Sequence, residues 1–372
     1  GHVVALCDAN PTRLDFAWSV LQSPSCERYT SLDEFFGHPD LNTVIVATPD
    51  HTHRELVLRA FDRGFDVICE KPLATSLADA RDMLRARGPR KLRMAFNMRY
   101  HPVIRKAREI LATGITGPIL HVDAADIISW QHGGDYFRRW HARRANSGGL
   151  LVHKSVHLFD AVNWCLGDRP AEVFGRGARL FYTADRQQGP RCRDCRAKSE
   201  CRFYVDLTRD IPGQYAGIPD FYRHLYLEAE HHDGYLRDSC VFHRDNDICD
   251  THHVSIRYAG GAMCNYSGIF YAAYEDKRIV FQGTEARLEL SKADHAIRVI
   301  DVAGQTQTFP VPKATGGHGG ADVTLMQSLF EEPDDPQGAV ATAEDGYWSL
   351  AIADCANASM TAGKSIPVPP LD

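Results

Sequence analysis

The constraint that decides most about this chain is an alternation of short apolar runs with helical patterns up to Pro118. VVALCD (3–8) reads as a buried strand ending in an acid, and NPTRLDFAWSVL then reads as a helix opened by Asn10 and Pro11. TVIVATP (43–49), a helix over HRELVLRAFDRG (53–64), FDVICEKP (65–72), a helix over SLADARDMLRARG (76–88) and the strand LRMAFN (92–97) continue the series. Strands that are apolar throughout and separated by helices need cover on both faces, which predicts a parallel, doubly wound sheet. Such a domain binds ligands outside the C-terminal ends of its strands.

After Pro118 the period falls to two. HVDAADI (121–127), HHVSIRYAGGAMCNYSGIF (252–270), RIVFQGTEARLEL (278–290) and AIRVIDVAGQTQTFPV (296–311) alternate, with GG, GT and AG as turn signals. With a helix at 150–166, this predicts an α+β domain holding a large, mostly antiparallel sheet. The expected division is 1–118, then 119–345 with a Cys-rich insertion at about 185–245, then a C-terminal helix and tail over 346–372. The last helical pattern, AEDGYWSLAIADCANASMTAG, ends at Gly363.

Composition narrows the function. A net charge of −6 in 372 residues gives no reason to expect nucleic acid or an anionic membrane surface as partner. No apolar run approaches the ~18–20 residues of a membrane span. Of eleven cysteines, most sit singly in apolar runs (Cys7, Cys69, Cys165, Cys355), which suits reduced thiols in a cytoplasmic protein.

LLVHKSVHLFD (150–160) sets His153 and His157 four apart, on one face if the segment is an α-helix. Zinc peptidases use that spacing with a Glu beside the first His as base. Here Lys154 holds that place, and a cation repels a metal dication.

The strand ends carry four further motifs: TPDHTH (48–53), EKPLA (70–74), NMRYHP (97–102) and GGLLVHKSVHLFD (148–160). In this order and spacing they resemble those of the Gfo/Idh/MocA oxidoreductases, the glucose–fructose oxidoreductase and inositol dehydrogenase family. The similarity runs from about residue 3 to 170, and more loosely through Gly283-Thr284 and the HGG of 318–320. The resemblance implies a Rossmann domain followed by a substrate-binding and oligomerisation domain, in a homodimer or homotetramer. It implies hydride transfer between NAD and a secondary hydroxyl of a sugar, sugar acid, cyclitol or glycoside. Two alternatives are an NAD-dependent glycoside hydrolase or lyase that oxidises its sugar transiently, and a non-catalytic sugar or NAD sensor.

The resemblance also implies roles. Thr48, Pro49, His53, Glu70, Lys71 and Asn97 would contact the cofactor, and Arg99, Tyr100 and His318 the substrate. Lys71 would polarise the reacting oxygen and His157 accept its proton. His153 departs from the pattern, since the family's common residue four before that histidine is Asp. His153 and Lys154 are therefore expected to bind substrate, with Lys154 also near the chemistry, and to favour an acidic or phosphorylated sugar. Trp130, Tyr136, Phe137, Trp140 and His141 offer an aromatic wall, and Arg143 and Arg144 an anion contact. The fingerprint G-x-G-x-x-G is not found before Asp8; the first strand and phosphate loop are expected to lie upstream of residue 1. Asp8 would then accept from the adenosine ribose hydroxyls and favour NAD over NADP, or cap the helix that follows.

CRDCRAKSEC places Cys192, Cys195 and Cys201 in an Arg-rich loop. With Cys240, His243, His231 or His232 as a fourth ligand, this spacing points to a structural zinc, or alternatively an iron–sulfur cluster.

Overall fold

The computed structural model describes residues 1–209, 218, 220–313, 315–331 and 337–371. The predicted alternation forms strands β1 (Ala5–Cys7), β2 (Glu27–Tyr29), β3 (Thr43–Val46), β4 (Asp66–Cys69) and β5 (Leu92–Met94). Helices Pro11–Leu21, His53–Asp62 and Leu77–Ala86 lie between them. The Asn10 side chain caps the first helix by accepting from the Thr12 and Arg13 amides, with Pro11 at the first helical position. β3, β4 and β5 are parallel, so their C-terminal ends share one edge. Val44, Val46, Val67, Ile68, Leu92 and Met94 are buried, each contributing about 1.5–3 kcal/mol. The sheet departs from the expected full cover at β3, where Ile45 is 49% exposed. β3 ends its hydrogen-bonded ladder, and β1 and β2 pair with each other in a separate parallel ladder.

The second domain supplies β6 (Ile119–Ser129), β7 (Pro170–Ala178), β8 (Thr251–Tyr258), β9 (Met263–Ala272), β10 (Asp276–Gly283), β11 (Ala286–Ser291), β12 (Ala296–Asp301) and β13 (Thr306–Pro310). They form one sheet in the order β13-β12-β11-β10-β6-β9-β8-β7, closed by the short strand Ile366–Pro367. All neighbours are antiparallel except β6 and β9. The register sets Asp126 of β6 directly opposite Lys277 of β10. Alternation made these strands readable, whereas helices Pro102–Ala112, Trp130–Arg138 and Ala321–Glu331 did not stand out. The last of them leaves Val323 and Met326 exposed, so its apolar residues do not mark a buried stripe.

Helix Ala343–Ala362 joins the two halves. Thr342 and Asp345 make a reciprocal capping box at its start. The strand Ala341–Thr342 just before it adds to β5. Further along, Asp354 accepts from the Leu77 amide, and Asn357 donates to the Gly148 carbonyl. Gly346 has to be small, because a Cβ there would stand 3.1 Å from Met94 and 3.2 Å from Leu73.

A second tie crosses the same joint. Arg99, just beyond β5, makes a two-pronged bond to Asp160 of helix Val156–Leu166 at 2.6 and 2.8 Å. A third contact reaches Asp345 at 3.2 Å, and the pair is 2% and 1% exposed. Removing one partner strands the other charge in the interior. Arg99→Ala is therefore expected to lower unfolding stability by about 3–5 kcal/mol, read as a shift in the urea midpoint; an unmoved midpoint would show the pair to be dispensable.

Candidate active site

Two loops on the parallel edge and one widened helical turn build the site. The loop after β3 carries Thr48, Pro49 and Asp50, and the loop after β4 carries Glu70 and Lys71. His53 staples them together: it is fully buried, with Nδ1 2.8 Å from the Pro72 carbonyl and Nε2 3.0 Å from the Thr48 carbonyl. The ring lies between two backbone carbonyls, and as a neutral imidazole it donates to one of them.

The third wall begins at Gly148 and Gly149, whose φ angles of 70° and 86° suit glycine alone. The chain then makes a π turn over Leu151–Ser155 before the α-helix Val156–Leu166. His153 and His157 are therefore not one turn apart on a regular α-helix, as their spacing predicts. Turns of this kind are rare and recur at functional sites. This one brings the His153 carbonyl to Lys71, whose Nζ donates to it at 3.0 Å. The His153 ring turns the other way, with Nδ1 2.6 Å from a carboxylate oxygen of buried Asp50.

His153 sits in an aromatic box, with ring centres 4.1 Å from His141, 5.4 Å from Trp140 and 5.7 Å from Tyr136. Lys154 lies over the other part of that wall, 5.9 Å from the Tyr136 ring centre. His157 is 8% exposed, meets Phe96 edge-on at 5.9 Å, and its buried Nδ1 has no hydrogen-bond partner. Burial, then the charge of Lys71, holds both His153 and His157 well below the usual histidine range. For Lys71 itself burial favours the neutral amine, and Asp50 is the largest charge opposing that loss.

A polar chain supports the π turn from below. Ser155 Oγ is 2.6 Å from the Tyr266 hydroxyl, which donates to Asp126 at 3.0 Å, and Lys277 pairs with the same carboxylate. Beside it, Glu275 bonds His132 at 3.1 Å and His132 bonds the Tyr136 hydroxyl at 2.7 Å. None of Asp50, Asp126, Tyr266, Glu275 or Lys277 was singled out by motif. Asp126 left one trace, a carboxylate within an otherwise buried stretch of strand.

Other predicted residues fall into place unevenly. Glu70 accepts from the Lys71 amide at 3.2 Å. Asn97 donates to Asp322 at 2.9 Å, and His318 bonds that carboxylate at 2.8 Å, which gathers both at the β5 end. Asp8 accepts from the Asn10 amide at 2.8 Å, with its carboxyl raised by burial. Arg99 was expected at the substrate; it is instead locked into the Asp160 pair, because an interior guanidinium needs a carboxylate more than a surface one does. Tyr100 is buried at 5% and borders a cleft with Pro102 and Arg105, away from the imidazoles. Trp130 packs edge-on against Phe203 at 5.4 Å in the core of the insertion, not in the wall around His153. Arg143 pairs with Asp245 at 2.8 Å.

The Cys-rich insertion includes residues 210–217 and 219, which lie outside the described ones. Cys192, Cys195, Cys201 and Cys240 all border one cavity of about 30 Å³, which His231, His232 and His243 do not line. Among the described residues no group of three or more His, Cys, Asp or Glu side chains is placed so that it could hold a metal ion.

Comparison with known proteins bears on the whole chain. A family model described as an oxidoreductase family, NAD-binding Rossmann fold, matches residues 1–97, and one described as its C-terminal alpha/beta domain matches 108–369. The putative oxidoreductase YteT of Bacillus subtilis is 34% identical over 95% of this chain and 88% of its own. A 2,7-anhydro-N-acetylneuraminate hydratase of Mediterraneibacter gnavus is 30% identical over 45% of this chain and 44% of its own. Among solved structures, levoglucosan dehydrogenase with NADH and levoglucosan shares the fold with a TM-score of 0.71, covering 98% of this chain and 90% of that one at 18% identity.

The polar chain under the π turn yields one prediction. Tyr266→Phe removes the hydroxyl that joins Ser155 to buried Asp126, and is expected to cost about 1–3 kcal/mol of stability, measured by chemical denaturation.

Proposed function

The chain belongs to the Gfo/Idh/MocA family of NAD-binding oxidoreductases, and from that premise we propose that it oxidises a secondary hydroxyl of a carbohydrate with Lys71 and His157 as the acting pair. One observation carries the reading. A half-buried lysine is anchored on the backbone of the very turn that presents two buried imidazoles, and it is the strongest charge on both. A neutral imidazole beside an ammonium suits removal of a hydroxyl proton with the oxygen stabilised as charge develops.

The strand-end residues fit NAD. Thr48 is exposed and Glu70 and Asn97 are half-buried, at the ends of three parallel strands that share an edge. The Asp8 carboxylate closes β1, and an acid there accepts from ribose hydroxyls and repels a 2′-phosphate. Bound NAD supplies the acceptor for the substrate's hydride. His157 takes the hydroxyl proton, and the Lys71 ammonium holds the oxygen as it becomes a carbonyl. Tyr136, Trp140 and His141 form a wall against which a sugar ring packs with little water. Lys154 adds a second ammonium there, which favours sugar acids over neutral sugars, cyclitols and glycosides. The name of the hydratase relative supports a second reading, in which oxidation is transient and no net NADH appears.

Absorbance of NADH with a panel of neutral sugars, sugar acids and cyclitols tests the reading. NADH is expected with at least one compound, acids ahead; a product formed without net NADH favours the second reading. Lys71→Met and His157→Asn are each expected to lower kcat by about 10²–10⁴-fold while NADH still binds. Because the His157 pKa lies below its ordinary value, the base stays deprotonated on mild acidification. The acid limb of kcat/KM should therefore fall below about pH 6.5; a limb above it contradicts the assignment.

We also assign a structural zinc to the cavity between Cys192, Cys195, Cys201 and Cys240. The two halves of the thiol set are held together by hydrogen bonds from the Cys192 amide to the Asp238 carbonyl and from the Cys240 amide to the Pro190 carbonyl. Buried Arg138 donates to the Cys192 sulfur at 3.5 Å. The four thiols would be the residues to hold the ion, which would serve to tie the insertion together. Metal analysis of the purified protein is expected to give about one zinc per chain; none, or iron in its place, contradicts the assignment.

A further inference from the structure

Asp50 is 3% exposed, and burying a carboxylate is costly unless something meets it. What surrounds it comes from two separate segments. His153, in the π turn, offers Nδ1 at 2.6 Å. Burial, and to a lesser degree Glu70 in the loop after β4, push its carboxyl well above the ordinary range, and Lys71 in the same loop is the charge that favours its ionised form. Around His153 stand Lys154, on the same turn, and Arg139 and His141, from the stretch after helix Trp130–Arg138. Residue 153 therefore has two holds. Its ring grips Asp50, and its carbonyl accepts from Lys71. Asp50 is fixed in turn, since it starts a turn over Asp50–Thr52 that His53 ties to the Lys71-Pro72 loop.

We propose that Asp50 is the positioning residue of this site: through His153 it fixes the place and charge of Lys71, supplying from the loop after β3 the carboxylate that the helix lacks four residues before His157. The inference rests on the reading of Lys71 and His157 as the acting pair. On this proposal the 2.6 Å Asp50–His153 contact has the ring Nδ1–H donating to an ionised carboxylate. That tautomer leaves Nε2 with a lone pair, able to accept from a substrate hydroxyl next to the one oxidised. Burial, then Lys71 and to a lesser degree Lys154 and Arg139, disfavour a second proton on the His153 ring.

The sign of the pH effect follows. Burial pulls Lys71 toward the neutral amine, and Asp50 is the largest charge holding the proton on. Asp50→Asn removes that charge, so Lys71 deprotonates at lower pH and the alkaline limb of kcat/KM moves to lower pH. The variant is expected to lose about 10²-fold in kcat/KM with NADH affinity unchanged. The double variant Asp50→Asn/His153→Asp returns a carboxylate to the helix, and is expected to recover about tenfold or more of that loss. An alkaline limb that stays put in Asp50→Asn, or a double variant no better than the single, overturns the proposal.

Two readouts need no substrate. Lysine side-chain NMR, with Lys71 identified by its loss in Lys71→Met, should show Lys71 titrating at lower pH in Asp50→Asn. Histidine ¹⁵N spectra of the wild-type protein should show the Nδ1–H tautomer at His153, and an Nε2–H tautomer contradicts the contact whether or not the variants fold. If no sugar is oxidised by the wild-type enzyme, the functional reading falls, while these spectra still decide the role of Asp50.

Discussion

The contact on which this site depends is the 3.0 Å bond from Lys71 to the carbonyl of His153. It joins a strand end of the nucleotide-binding half to a helical turn of the other half, and so it requires both halves to be held in register. A lysine in that position is of use only while it keeps its proton in a setting that disfavours charge. Asp50 opposes that loss most strongly. The two imidazoles flanking the lysine are neutral for the same reason that the lysine is strained, which is burial beside other cations. One low-dielectric pocket thus sets all the protonation states together.

The rest of the architecture is organised around keeping that geometry. Arg99 and Asp160 lock the joint, and so does the largely buried helix Ala343–Ala362, whose preceding strand Ala341–Thr342 pairs with β5 and whose Asn357 donates to the Gly148 carbonyl. The π turn needs its own support, because a widened turn gains less from backbone bonding than an α-helix does. Ser155, Tyr266, Asp126 and Lys277 provide it, through a register that sets Asp126 opposite Lys277 across two strands. A fully satisfied polar network of this kind rigidifies what it touches. The insertion between β7 and β8 adds an aromatic core around Phe203 and Tyr182, and Arg138 links that core to the thiol cavity.

Much of this was legible in the sequence, and the part that was not has a common cause. The doubly wound pattern, the alternating sheet, and the motifs bearing Lys71 and His157 are local signals, readable from periodicity and from residues a few positions apart. Asp50 lay in plain view within TPDHTH, yet its partner His153 is 103 positions away, and only the fold joins them. The Arg99 ion pair was not legible because its partner Asp160, the one acid of the 148–160 motif, lies 61 positions on. The place of the His53 ring between the Thr48 and Pro72 carbonyls, 5 and 19 positions away, also needed the fold to be seen. The π turn could not be foreseen, since HKSVH carries the same i,i+4 signal in an α-helix. Of the open choices for a fourth cavity residue, Cys240 was recognisable by chemistry alone, and the histidines lie elsewhere.

The central claim is that a substrate C–H bond passes its hydrogen to the nicotinamide while His157 takes the hydroxyl proton. Mass analysis of the cofactor after turnover of a substrate deuterated at the reacting carbon tests it most directly. The account predicts one deuterium in each NADH formed, with none acquired from protonated solvent. Product accompanied by unlabelled NADH, or by deuterium washed out to water, would contradict it.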